Sequence, residues 1–207
     1  MLLNDRKLSN EKLNTLASNV DRLSRLLTRQ RENLPAAYLK DRGLREAYAA
    51  YFLPPNMRKI HIPLSELALH PDTMVNKEQY RILDLGCGPG TALLGVLDFF
   101  YSMNISPRLD VVAIDQLSEN LAIVRSFFST YKLAHSLNAS LKTICSSIGN
   151  TVHMIEEPFD LITLTNVLNE LHPHHEMRIA KRIRLLADLL HRYLAKDGSC
   201  IIIEPAL

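Results

Sequence analysis

Long apolar runs are missing from this 207-residue chain. None approaches the roughly 20 residues a helix needs to cross a bilayer, which excludes a helical membrane span. Cysteine is scarce: Cys87, Cys145 and Cys200 are odd in number and far apart. That spacing excludes a C-x-x-C pair and a disulfide framework. The first residues, Met1-Leu2-Leu3-Asn4-Asp5-Arg6, lack the basic-then-apolar order of a signal peptide. The expectation is a cytoplasmic protein in a reducing compartment. Strong net charge is also lacking, with 24 Lys and Arg against 22 Asp and Glu. A content of 47% hydrophobic and 22% charged residues suits one globular domain plus an extension.

Glycine is sparse as well, with seven in all, yet three of them stand at alternate positions, 86, 88 and 90. They follow the short apolar run Arg81-Ile82-Leu83-Asp84-Leu85, which reads as a buried strand. Thr91 to Met103 then has helical periodicity through Ala92, Leu93, Val96, Leu97 and Phe100. A strand, a glycine turn and a helix make a nucleotide cradle. Glycine lets backbone approach a ligand where a Cβ would collide, and the free amides at a helix start favour an anion. The dinucleotide fingerprint G-x-G-x-x-G/A is broken by Thr91. The pattern present is Asp84-x-Gly86-x-Gly88-x-Gly90.

Four further strands are expected. Asp110 to Asp115 ends in an acid 25 residues after Gly90, where a carboxylate can accept both hydroxyls of a ribose. Leu141 to Cys145 is the best third strand, Phe159 to Asn166 the fourth and Gly198 to Pro205 the fifth. Between them lie amphipathic helices. Ser118 to Ala134 carries Leu121, Val124, Phe127, Phe128 and Tyr131. Glu176 to Leu194 carries Ile179, Ile183, Leu186, Leu190 and Tyr193 on one face. Strands alternating with helices imply an α/β fold, a parallel sheet with right-handed crossovers.

Charge is unevenly spread. Residues 1–62 carry 12 Lys and Arg against 6 Asp and Glu, whereas residues 63–207 carry 12 against 16. The division is placed at 76/77: a basic helical extension over 1–76, a ligand-binding domain over 77–207. In the extension Leu13, Leu16, Val20, Leu23 and Leu27 step by three and four as one amphipathic helix. Asp41 is a candidate cap for a second, running to about Leu53 and stopped by Pro54-Pro55. It interleaves Arg42, Arg45, Tyr48, Tyr51 and Phe52, a combination able to hold phosphates and stack on bases. Tyr51 and Phe52 are expected to serve as core instead. Ile60 to Leu69 reads as a third, short helix, and residues 71–77 as a polar linker.

The glycine pattern, with the acids Asp84 and Asp115, resembles the first two motifs of the Rossmann-like S-adenosylmethionine-dependent methyltransferases. That resemblance implies strand order 3-2-1-4-5 and S-adenosyl-L-methionine as cofactor, held by Asp84, Gly86, Gly88, Gly90, Asp115, Gln116, Ser147 and Asn166. Gln116 and Ser147 are then the two candidates for the adenine edge, because no acid follows the third strand. A closer resemblance runs through Ala37-Tyr38-Leu39, Arg42 to Asn56, Lys59 and Leu64-Ser65-Glu66-Leu67. It continues in Gly88-Pro89-Gly90-Thr91-Ala92-Leu93 and in Asn166-Val167-Leu168-Asn169-Glu170-Leu171. These segments are similar to the mitochondrial ribosomal small-subunit methyltransferase-like family, which has bacterial members. The family implies association with the small ribosomal subunit or its assembly and presumed methyl transfer to it or its rRNA; separately, the charge of the basic extension can attract RNA or a ribosomal surface. Its members continue past the Glu-Pro of the fifth strand into a cysteine-bearing segment linked with an iron-sulfur cluster. This sequence ends at Leu207 without those cysteines or the superfamily's sixth and seventh strands. A truncated chain, or a fifth strand covered by another segment or subunit, is the expectation.

Methyl transfer is an in-line displacement, and much of its barrier is alignment and exclusion of water. The superfamily lines the methyl with residues after the fourth strand, which makes Asn166, Asn169 and Glu170 the catalytic candidates, with His172 beside them. The Asn/Asp/Ser-Pro-Pro-aromatic motif of the exocyclic-amine enzymes is absent, as is a Pro-Cys nucleophile. His172-Pro173-His174-His175-Glu176 lacks metal-ligand spacing and reads as a polar loop, so no metal is expected. Glu204 ends the fifth strand, facing substrate or solvent. Three readings follow: a methyltransferase-like protein acting on the small ribosomal subunit or its rRNA, a small-molecule methyltransferase, or a non-catalytic, cofactor-binding ribosome assembly factor.

Overall fold

The computed structural model describes residues 9–30, 35, 37–70, 77–153, 155, 158–172 and 175–205. The chain divides into two compact units, Met1–Pro54 and Pro55–Leu207. The polar segment 71–76, on which the sequence boundary was drawn, lies outside the described residues.

In the first unit, α1 spans Asn10–Thr28, with Ser9 accepting from Lys12 N at its start. Leu23 is its buried anchor, while Leu13 is largely exposed. Asp41 caps α2, Arg42–Ala47, by accepting from Gly43 N at 2.8 Å and Leu44 N at 3.1 Å. Those two bonds satisfy amides that the first turn leaves unpaired. Arg22 on α1 reaches the same carboxylate at 3.1 Å.

The helix does not stop at Pro54-Pro55, as the sequence suggested. It widens into a π turn at Tyr48–Phe52 and continues as α3, Leu53–Met57. Pro54 and Pro55 follow the π turn directly as the second and third residues of α3, where the widened turn accommodates their missing N–H groups. The aromatic expectation is corrected as well. Tyr48 is the buried ring and Tyr51 is 60% exposed. Arg45 is spent on the carbonyls of Leu39 and Lys40.

The second unit holds α4, His61–Ala68, and a five-stranded parallel sheet: β1 Gln79–Leu85, β2 Arg108–Asp115, β3 Ala139–Cys145, β4 Phe159–Thr165 and β5 Leu194–Ile203. Its order is β3-β2-β1-β4-β5, as the methyltransferase resemblance implied. The crossovers are α5 Thr91–Ser102, α6 Ser118–Ala134 and α7 Arg178–Tyr193. β1 is buried from Ile82 to Leu85 because it is flanked on both edges and covered on both faces.

α5 is buried on nearly every side, Thr91 to Leu97 without a break. Such a helix packs against two layers. On the side away from the sheet, a Cβ at Gly95 would lie 2.1 Å from the carbonyl oxygen of Met57. α6 is tied to α5 by the Tyr131 hydroxyl, which donates to Asp98 at 2.6 Å.

α7 departs from the sequence stripe. Leu189 and Tyr193 are buried, with Leu185, Leu186 and Leu190 packed beside them, but Ile179 and Ile183 are 65% and 62% exposed. The first half of the helix is directed inward through Arg182, whose guanidinium finds loop carbonyls. β5 also begins earlier than expected. Leu194 pairs with Phe159, the chain bulges, and Ser199 resumes opposite Leu161. Gly198 makes the bulge fit, since a Cβ there would stand 2.8 Å from Phe159 O. Among the described residues no helix is long and apolar enough to cross a membrane.

Candidate functional site

The carboxyl ends of β1, β2 and β4 converge, which is where parallel sheets of this kind bind ligands. After Leu85 the chain makes a turn with three left-handed glycines: Gly86 at φ 67°, Gly88 at φ 52° and Gly90 at φ 93°. The turn is anchored to the next strand by Cys87 N, which donates to Ile114 O at 2.9 Å. The glycines differ in what surrounds them. A Cβ on Gly86 would collide with Val167 Cγ2 at 2.4 Å, whereas one on Gly88 would meet nothing within 4 Å. Gly86 therefore makes room for a protein side chain, and Gly88 faces the open side of the crevice.

Asp84 and Asp115 sit beneath this turn and both are buried. Asp84 pairs across the sheet with Thr163, whose hydroxyl donates to Asp84 Oδ1 at 2.8 Å. Its Oδ2 is buried without a hydrogen-bond partner. Burial pushes the Asp84 pKa up to about 7; the Thr163 bond opposes this, the nearby Asp115 charge adds to it, and the Leu93 amide opposes it. An unpaired oxygen of this kind is costly to bury and marks a position that a donor or cation would satisfy.

Asp115 accepts from Gly88 N at 2.8 Å through Oδ2, and from Leu117 N at 2.8 Å and Asn120 Nδ2 at 3.1 Å through Oδ1. The bond to Leu117 is an Asx turn that opens α6. Burial raises the Asp115 pKa against these three bonds. The Cys87 thiol lies close to both acids. Burial, then their charges, hold its pKa well above the usual thiol value, which disfavours the thiolate.

Asp84, Gly86, Gly88, Gly90 and Asp115 are thus gathered in one place. Gln116 and Ser147 are exposed on the same rim, after β2 and β3. Asn166 follows β4 in the left-handed region at φ 58°, its amide donating to Ile203 O at 2.7 Å. Asn169 and Glu170 lie in a turn of 3-10 helix, Leu168–Glu170. The Asn169 side chain is engaged at both ends, its Nδ2 donating to Glu204 Oε2 at 2.9 Å and its Oδ1 accepting from Arg182 at 3.4 Å. Glu204 faces neither substrate nor solvent alone; its Oε1 accepts from Leu168 N at 2.7 Å. His172 takes φ 54°, and His175 Nδ1 accepts from Met177 N; residues 173–174 lie outside the described residues. Among the described residues no His, Cys, Asp and Glu cluster fit for a metal is present.

Sequence reasoning missed Thr163, Asn120, Val167 and Arg182. Thr163 carried a legible signal, as a polar residue inside a buried strand that pairs with the acid-bearing one. Arg182 carried none, being one arginine among several on α7.

No family profile and no curated protein matches the chain. Solved structures do. A candidate S-adenosyl-L-methionine-dependent methyltransferase from Methanococcus maripaludis superposes with a TM-score of 0.51 at 16% identity, over 81% of this chain and 62% of its own. The fold is that of Rossmann-like methyltransferases. Two more distant superpositions are the [4+2]-cyclase SpnF and the glycopeptide N-methyltransferase MtfA complexed with sinefungin. Both have a TM-score of 0.49, at 18% and 15% identity, over 71% of this chain. The chain spans 62%, 44% and 53% of the lengths of these three proteins.

Proposed function

We propose that the second unit binds S-adenosyl-L-methionine and directs its methyl group to a component of the small ribosomal subunit. The observation that carries the binding step is the unpartnered Asp84 Oδ2 beneath the glycine turn. The cofactor's α-ammonium is a cation of the right kind to meet it. Gly88, with open space where a Cβ would stand, admits the ligand backbone. Asp115 already accepts three hydrogen bonds, of roughly four that a carboxylate can take. It would meet a ribose hydroxyl with its remaining Oδ2 capacity, and a second only by releasing one of its present donors. Gln116 and Ser147 are the rim residues for the adenine. When bound, the cofactor supplies an electrophilic sulfonium methyl. The chain's own contribution is alignment and a dry wall formed by Val167 and Ile148.

The ribosomal target is supported by the resemblance through residues 37–67 and 166–171, and by the excess of basic over acidic residues in 1–62. A second reading is favoured by one observation: Asn169, a catalytic candidate, has both ends of its amide engaged. The protein would then bind cofactor without turnover, as an assembly factor. Calorimetric titration with S-adenosyl-L-homocysteine tests the pocket, with saturable one-to-one heat expected; absence of heat overturns it. Tritium transfer from labelled cofactor to isolated small subunits, beside free rRNA and buffer, then separates the readings. Incorporation into either supports the first reading, and binding without incorporation the second.

A further inference from the structure

We infer that Glu204, at the end of β5, is a positioning residue that sets one wall of the glycine crevice through Asn169; this rests on reading the crevice as the ligand site. Within its described residues the loop after β4 carries one short turn of its own, in which Glu170 N donates to Val167 O and Leu171 N to Leu168 O. Its single 3-10 turn, Leu168–Glu170, sits between two non-glycine residues in the left-handed region, Asn166 and His172. A turn that short is weak alone, so its shape is imposed from outside.

Two charged side chains impose it. Glu204 Oε1 accepts from Leu168 N at 2.7 Å, which grips the peptide joining Val167 to Leu168. Its Oε2 accepts from Asn169 Nδ2 at 2.9 Å. From α7, Arg182 donates to Asn169 O at 2.8 Å, Leu171 O at 2.7 Å and Asn169 Oδ1 at 3.4 Å. The Asn169 amide is therefore inserted between a carboxylate and a guanidinium. Its polarity is fixed, because a flipped amide would present oxygen to Glu204 and hydrogens to Arg182. The wall so held includes Val167, whose Cγ2 stands 2.4 Å from the place a Gly86 Cβ would occupy. A shift of the loop would thus change the crevice directly above the glycine turn.

The polarity gives a decisive test. Glu204→Gln turns a donor toward the Asn169 amide hydrogens, and Asn169→Asp turns a carboxylate toward Glu204. Combined, the two changes restore every link with the same net charge. The new amide at position 204 would accept from Leu168 N and donate to the new carboxylate at position 169, which would accept from Arg182. The experiment measures the dissociation constant of S-adenosyl-L-homocysteine, the melting temperature and hydrogen exchange of amides 166–171 for all four proteins. Each single change is expected to weaken binding about tenfold or more and to speed exchange at Leu168. The double variant is expected to recover both to within about threefold. Folded single variants that bind like the unaltered protein overturn the inference, as does a double variant no better than either single one. Should a single variant fail to fold, a folded, binding double variant supports the coupling and an unfolded one overturns it. An unaltered protein that does not bind overturns the proposed function alone. Exchange then decides the bracket, and unchanged protection in both single variants sinks it.

Discussion

Asp115 Oδ2 accepts the backbone N–H of Gly88 at 2.8 Å, which fastens the glycine turn after β1 to the end of β2. The same carboxylate opens α6 through Leu117 N and holds Asn120. The acid proposed to meet the ribose is thus also what shapes the glycine turn. Asp115→Asn keeps the volume but turns an NH₂ toward one of the two backbone donors. The expected loss is about 1–3 kcal/mol of stability, the cost of an unsatisfied buried group. Urea unfolding at pH 7 measures it, and an unchanged midpoint would show that these bonds contribute nothing.

The three glycines separate ligand effects from folding effects. Gly88→Ala adds a methyl that meets nothing in the protein, at φ 52°. Its expected stability cost is the left-handed strain, about 1–2 kcal/mol, with a large loss of S-adenosyl-L-homocysteine affinity. Gly86→Ala drives the same methyl into Val167 and adds an overpacking cost of about 1–3 kcal/mol to similar strain. Parallel melting and calorimetry should show Gly86→Ala the less stable. Gly88→Ala should be the variant that loses binding while remaining folded.

Asp84 predicts a pH dependence. Its folded pKa is raised from 3.8 to about 7, so the native state holds a proton that the unfolded state has released. More protons bound in the native state means stability falls as pH rises from about 4 to 7. Asp84→Asn should flatten that slope in urea unfolding measured at several pH values. A ligand cation at Oδ2 reverses the preference, because it favours the ionised acid. Affinity for S-adenosyl-L-homocysteine should therefore rise about tenfold between pH 6 and 8, and the rise should vanish in Asp84→Asn.

Gly95 sets a helix rule against packing. Gly→Ala within a helix gains about 1 kcal/mol of propensity. Here the added Cβ would stand 2.1 Å from Met57 O, a backbone atom that cannot swing aside. Gly95→Ala is expected to lose about 1–3 kcal/mol net. A variant that melts higher than the unaltered protein would show that α5 has slack against Met57.

Much of the framework was legible from local chemistry. Asp84, the glycine turn and Asp115 stand at the intervals a strand–helix–strand unit requires, and the amphipathic pattern over Ser118 to Ala134 coincides with α6. The helix through Pro54-Pro55 was not legible, because the π turn that precedes them has no sequence mark. Ile179 and Ile183 misled for a related reason. Periodicity says which residues share a face, not how far along a helix the core extends.

Alternation of apolar strands with amphipathic helices, and three glycines at alternate positions after the first strand, were enough by themselves to determine a parallel α/β sheet with a glycine turn at its carboxyl edge. Such preferences act within a few residues of chain. Tertiary structure alone decided that Thr163 supports Asp84, that Val167 fills the space over Gly86, and that Glu204 and Arg182 hold Asn169 between them. Those partners are far apart in sequence. Their hydrogen bonds and contacts exist only after the sheet has set its register and brought the strand ends together.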